Sequence, residues 1–381
     1  MKRIMYYIDV IAFVGVIFFF TISNRTNKLS AVKKQMEQND IYNASAIEQT
    51  YKDNFAHKTH AENLYGLSQE LFGKSLVGNF AMFRDETGMM HMCSYTPNTE
   101  SFVDDVITLK DKLTEKSVPL LYVQIPSREE EGYSSYPSGV FNNVANEIEN
   151  TITDMKDAGV ECLDIGELCK QENIHPHDFF FYSDLHLQTD AELWVAEKIT
   201  DRLEVISDCQ FDRTYLDKSN YTKETYDFFG NLARQSGKYY ATTDEFDMYF
   251  PEFGTSLVLD NNIQGVVREG SFQETLMNQY TSNDESDEYT YWVTNYLQYT
   301  SPYYTIQNNM VHDNRLLIIM DSMCFRTTAY LALASEAITV LDSRFFGETD
   351  YLNEVLDNNE FDAVVICHQM SLFDYPLFIT D

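Results

Sequence analysis

Three residues in this sequence have the types and spacing that nucleophilic chemistry requires. Asp184 and His186 stand two apart at the end of the run Phe179-Phe-Phe-Tyr-Ser-Asp-Leu-His186. Ser322 follows Asp321 where the apolar run Arg315-Leu-Leu-Ile-Ile-Met320 ends. A serine hydroxyl is a weak nucleophile until a base takes its proton, and an imidazole base works best when a third group holds its tautomer. A carboxylate two residues before the imidazole can reach it within one loop. A serine at a strand-to-helix turn can point into the crevice beyond the strand, where the helix N-terminus offers N–H groups to an oxyanion. The plainer readings are an N-cap for Ser322 and a surface loop for the Asp-x-His pair. A metal site is a third reading, with His175 and His177 close by in the chain. Zinc would still need a fuller ligand set at the right spacing, so no metal and no cofactor are expected.

These side chains need a frame, and the chain alternates strand and helix signals around them. Short apolar runs bounded by polar residues predict buried strands at Val118–Ile125, Gly159–Ile165, Arg315–Met320, Ile338–Leu341 and Phe361–Cys367. Helical patterns fall between them at Asn142–Asp157, Thr189–Leu203 with Thr189 as N-cap, Phe325–Ala334 and Tyr351–Leu356. Strands joined by helices imply right-handed crossovers and a parallel sheet covered on both faces. Residues 206–310 break the rhythm, being rich in Tyr, Asp, Asn and Thr, and read as a long insertion over one end of the sheet. Its Tyr289, Tyr291 and Trp292, with Tyr303 and Tyr304, suit either sugar stacking or core packing.

Composition narrows the function. The 381 residues carry a net charge of −33 with 44% hydrophobic and 14% aromatic residues. That aromatic content excludes wholesale disorder, and the acidity argues against a nucleic-acid partner. Residues 1–34 hold six basic groups and one acid, which leaves 21 basic against 59 acidic groups, a balance of −38, for the remainder. The run Ile4–Ile22, preceded by Lys2 and Arg3, has the length and flanking charge of a signal-anchor with the rest of the chain outside. A cleaved secretion signal and a buried helix are the alternatives. The expected organisation is therefore a transmembrane helix over 1–23, a helical stalk over 24–75 and an α/β domain over 76–381. The six cysteines lack metal-ligand spacing and are expected to be mostly free and buried.

Taken in order, these blocks resemble the alginate O-acetyltransferase-like branch of the SGNH hydrolases, and more closely the DHHW-motif proteins. The aromatic approach to the hallmark stands here as Tyr182-Ser-Asp184-Leu-His186-Leu187. The nucleophile block matches Leu316-Leu-Ile-Ile-Met-Asp321-Ser322, and Val340-Leu-Asp342-Ser-Arg344-Phe345-Phe346 is similar to the block after it. Tyr226-Asp-Phe-Phe-Gly230 resembles the mid-chain glycine block. The resemblance implies a three-layer α/β/α fold, with Ser322 as nucleophile, His186 as base and Asp184 as its orienting carboxylate. It also implies O-acetyl transfer to an exported glycan, with a membrane-bound O-acyltransferase as acetyl donor and the N-terminal helix as anchor. Leu185 and Leu187 replace the middle His and the Trp of the hallmark, Met320 replaces a small residue, and Gln298–Ser301 replaces a Gly-Asn pair. Oxyanion donors would then be the Ser322 N–H or Gln369, while Arg344 and Gly230 are further substrate candidates. Arg344 can equally be a structural partner of Asp342. An acetyl-esterase with the same triad, or a degenerate glycan-binding protein, are the other functions open to such a chain.

Overall fold

The computed structural model describes residues 14–15, 18–24, 57–78, 81–93, 99–128, 136–140, 143–261, 263–277, 301–369 and 372–379. Most of the expected transmembrane helix and residues 25–56 of the stalk lie outside this set, as do Tyr289, Tyr291 and Trp292. Among the described residues no helix is long and apolar enough to cross a membrane.

Helix α1 (Lys58–Leu71) leads into a small antiparallel sheet of β1 (Leu76–Val77), β2 (Met82–Arg84) and β3 (Met90–Met92). Then come α2 (Glu100–Glu115), β4 (Leu120–Gln124), α3 (Val144–Asp157), β5 (Glu161–Asp164), α4 (Ile165–Glu172), α5 (Pro176–Phe179) and α6 (Thr189–Ile206). The middle of the chain builds a ribbon from β6 (Tyr221–Phe228) and β7 (Asp244–Pro251) with α7 (Asn231–Ser236) between them. It continues with β8 (Leu257–Asn261), β9 (Val266–Gly270), α8 (Phe272–Leu276) and β10 (Tyr303–Asn308). The last elements are β11 (Arg315–Met320), α9 (Phe325–Leu333), β12 (Ala337–Leu341), α10 (Tyr351–Asn358) and β13 (Ala363–His368).

The central sheet has the order β5-β4-β13-β11-β12-β10-β8-β9. Its first five strands are parallel, and three of the links between them, β4 to β5, β11 to β12 and β12 to β13, are helical crossovers of the kind parallel neighbours require. Of these, β4, β11 and β13 are buried on both faces almost completely, as apolar runs without alternation must be, while the edge strand β5 is half-buried. Odd and even residues of β11 feed two cores. Leu316 and Ile318 join Val365 and Tyr330 on one face, while Leu317 and Ile319 join Val364, Val106 and Phe346 on the other. The expected strands and helices of this half are present, and the mixed α/β layering is the one anticipated.

Two features differ. The segment 206–310, expected over one end of the sheet, contributes strands to the sheet itself. It supplies β10, β8 and β9, which extend the sheet by three antiparallel strands through Ile306–Ile338 and Ile306–Leu259 registers. Thr189 does not cap α6: Gln188 is the cap residue, and the Thr189 hydroxyl donates to the Asp247 carbonyl of β7 at 2.5 Å. Helix α1, at the end of the expected stalk, packs against α7. Gly66 there meets backbone so closely that an added Cβ would lie 2.4 Å from the Ser236 carbonyl oxygen. The six cysteines are free thiols, with Cys169, Cys209, Cys324 and Cys367 buried.

Candidate active site

Parallel sheets gather function at the carboxyl ends of their strands. Here the ends of β4, β13, β11 and β12 deliver Gln124, His368-Gln369, Asp321-Ser322 and Asp342-Arg344 to one rim. The turn after β11 is fixed by Asp321. Its carboxylate accepts the Met323 N–H at 3.0 Å and, through the other oxygen, the Gln369 N–H at 3.1 Å. The turn is thereby tied to the neighbouring strand end. Ser322 opens a single 3₁₀ turn before α9 and remains partly exposed.

The Asp-x-His loop is held in more detail. His186 Nδ1 lies 2.6 Å from Asp184 Oδ1, and the same oxygen accepts the His186 backbone N–H at 3.1 Å. The other oxygen accepts the Asn231 N–H at 2.6 Å, the first residue of α7. Asp184 is wholly buried. Burial alone would raise its carboxyl, but the His186 charge and these three donors outweigh it and hold the group below the ordinary range. An ionised carboxylate on Nδ1 leaves Nε2 as the working nitrogen. Nε2 is buried and makes no hydrogen bond, so Ser322 and His186 are not bonded in this resting arrangement. Catalytic hydrogen bonds of this kind often close only with substrate bound.

Several residues hold this loop, of which the sequence marked only Arg326, as a charge just after Ser322 that could be structural or could orient the site. Asp244 of β7 accepts the Tyr182 N–H at 2.8 Å, the Ser183 N–H at 2.6 Å and the Ser183 hydroxyl. Arg128, buried after β4, donates to the Met90 carbonyl at 2.5 Å and to the Asp184 carbonyl. Arg326, on the first turn of α9, donates to the Leu187 carbonyl and pairs with Glu192 of α6 at 2.7 Å. Glu192 also accepts the Thr327 N–H at 2.7 Å. The residue after His186 is thus bonded directly to the residue four past Ser322. The hint of this in the sequence was Arg326, the one charge in the otherwise uncharged helix α9.

The remaining candidates have structural partners. Gly230 gives its N–H to the Ser183 hydroxyl at 2.8 Å, and that donor is not directed at a substrate. Its lack of a side chain matters more, since an added Cβ would sit 2.3 Å from Asp184 Cβ. The Gln369 side chain donates to the Pro126 carbonyl at 2.9 Å and its backbone N–H serves Asp321, which leaves one amide hydrogen for any other role. Arg344 makes a two-point fork to Asp342, at 2.8 and 2.6 Å, so the structural alternative for this residue is the one observed. His175 accepts the His177 N–H at 3.4 Å as a helix cap. Among the described residues no group of three or more His, Cys, Asp or Glu is gathered to hold a metal. Tyr304 is buried in the core and Tyr303 packs on Tyr351 at 5.6 Å, so neither ring is presented as a free sugar platform.

No family model and no curated protein matches this chain. Solved structures do. The chain is similar to Bacillus cereus PatB1 with a TM-score of 0.59 at 18% identity, over 77% of this chain and 97% of that one, in a structure carrying a sulfonyl adduct. It is similar to a DHHW family protein from Eubacterium siraeum with a TM-score of 0.56 at 13% identity, over 79% of this chain and 92% of that one. The fold of this chain is therefore the one these two structures share, along nearly the full length of both neighbours and just over three quarters of this chain.

Proposed function

We propose that the chain is an O-acyltransferase that moves an acetyl group to a glycan hydroxyl through Ser322, His186 and Asp184. The observation that carries the reading is the Asp184–His186 pair. A fully buried carboxylate, held ionised by three donors, fixes Nδ1 and leaves Nε2 without any protein partner. A buried polar nitrogen left open in this way costs about 1–3 kcal/mol, and here it is the nitrogen that a base oriented through Nδ1 would use.

In the proposed cycle His186 Nε2 takes the Ser322 hydroxyl proton as Oγ attacks the acetyl carbonyl. The oxyanion of the tetrahedral adduct is met by N–H groups at the Ser322 turn, with the Gln369 amide as a second donor. Collapse returns the proton to the leaving group and leaves an acetyl-serine. His186 then deprotonates a sugar hydroxyl, which attacks the ester, and the proton goes back to Ser322. Water in place of the sugar gives an esterase by the same steps. The exported location, the membrane anchor, the stalk and an acetyl-supplying membrane O-acyltransferase belong to this proposal as well. They rest on the N-terminal sequence and on the resemblance described above.

The test is turnover of an aryl acetate together with labelling by a sulfonyl fluoride, a reagent that captures activated serine hydroxyls. Loss of a triad nucleophile costs about 10⁴-fold or more in kcat. Ser322→Ala is expected to fall by that order and to lose the label. Equal turnover by Ser322→Ala and wild type would overturn the assignment. Absence of both turnover and label in the wild type would favour a glycan-binding role.

A further inference from the structure

The mechanism above needs His186 and Ser322 brought together from segments more than a hundred residues apart, yet they are not bonded to each other. One buried ion pair spans the gap. Arg326 and Glu192 are each about 1% exposed, at 2.7 Å. Arg326 also donates to the Leu187 carbonyl, immediately after His186, and Glu192 accepts the Thr327 N–H at the start of α9. The guanidinium lies 5.7 Å from the Phe181 ring centre and 5.3 Å from that of Phe246. Phe181 belongs to the aromatic run that precedes the Asp-x-His pair, so that run serves as a wall of the arginine cage.

A buried ion pair is weak evidence for stability, because the desolvation cost offsets much of the attraction. Its better-supported use is to select one arrangement over near alternatives. Here the arrangement selected is the distance between the base loop and the nucleophile turn. Lysine would not reproduce it, since Nη2 meets the Leu187 carbonyl and the Glu192 carboxylate while the guanidinium plane lies among the Phe181 and Phe246 rings, and an ammonium on a flexible stem has no such plane. We infer that Glu192 and Arg326 are positioning residues that hold His186 in reach of Ser322. The inference rests on the triad reading given above.

The test replaces both charges at once, so that no lone charge is left buried. The double variant Glu192→Leu/Arg326→Met is expected to keep a wild-type melting temperature to within a few degrees. On an aryl acetate its kcat should fall about 100-fold, with KM within about twofold, because misplacement by about an ångström costs rate rather than binding. The rate of sulfonyl labelling at Ser322 should fall in parallel. Arg326→Lys should lose about tenfold, in line with other supporting-residue losses. If the double variant does not fold, Glu192→Gln keeps the acceptor for Thr327 and is expected to lose about tenfold in kcat with unchanged KM. A folded double variant, or Glu192→Gln where that serves, with wild-type kcat overturns the positioning role while the Ser322→Ala loss leaves the triad standing. Unchanged turnover in Ser322→Ala removes the premise, and the inference with it.

Discussion

At the scale of single residues, closeness of approach and burial decide what is tolerated. Gly230 lies against the Asp184 loop with no room for a methyl group, the nearest atoms being Asp184 Cβ at 2.3 Å and the Ser183 carbonyl oxygen at 2.6 Å. The second of these is backbone and cannot rotate away. Gly230→Ala is therefore expected to push the loop by about an ångström and to cut aryl-acetate turnover by about 100-fold, checked by steady-state kinetics on folded protein. His368 gives a pH prediction. Burial pushes its imidazole down to about 4, from an ordinary value of 6.5. The folded chain thus refuses a proton that the unfolded chain accepts below pH 6.5. Stability from this group is complete above pH 6.5 and is lost as pH falls toward 4, by at most about 3 kcal/mol. Urea midpoints between pH 7 and 4 should show this slope, and His368→Gln should flatten it. The Asp184–His186 spacing was legible because both residues lie in one loop. Arg326 stood out only as a charge just after Ser322 with its role open, and Glu192, Arg128 and Asp244 not at all, because their meaning comes from contacts across more than fifty residues that no local pattern encodes.

At the scale of elements, the parallel half of the sheet was readable and the antiparallel half was not. Strands β11 and β13 are uninterrupted apolar runs because both faces are covered. Strand β6 has six consecutive residues that are exposed or half-exposed, Thr222–Asp227, so neither a run nor an alternation marks it. Strand β9 lies at the sheet edge, where its exposed Val267 and Glu269 hide the pattern further. Helix α1 offers a test in which two effects have opposite signs. In an isolated helix Gly→Ala stabilises by about 1 kcal/mol. At Gly66 the new methyl would stand 2.4 Å from the Ser236 carbonyl oxygen and 3.0 Å from Gly237 Cα. Steric exclusion wins, because both obstacles are backbone. Gly66→Ala should therefore loosen α1 and speed amide exchange over residues 58–71. Slower exchange would show that intrinsic helix propensity governs this element instead.

At the scale of the whole molecule, the charge of −33 acts on the folded state by self-repulsion. Salt weakens that repulsion, but it also weakens surface pairs such as Lys218–Asp190 and Arg315–Glu336. Such exposed pairs contribute about 0–1 kcal/mol each, and the acidic residues far outnumber their partners. The melting temperature is therefore expected to rise between 10 and 300 mM NaCl, by about 2 °C for each 1 kcal/mol of relieved repulsion. A fall would mean that the ion pairs dominate. The order of strands carries a further consequence, for how the chain folds. β13, the last sheet strand in chain order, sits between β4 and β11 in the middle of the sheet, with Ile366 beside both Tyr122 and Ile319. Residues 120–124 therefore have no permanent neighbour on that side until residues 363–368 arrive. A chain still being made can assemble the ribbon and the antiparallel extension, but the rim that carries Asp321 and Gln369 closes only at the end. Removing residues 363–368 would not trim an edge; it would take out an interior strand and leave a two-stranded and a five-stranded piece with open flanks.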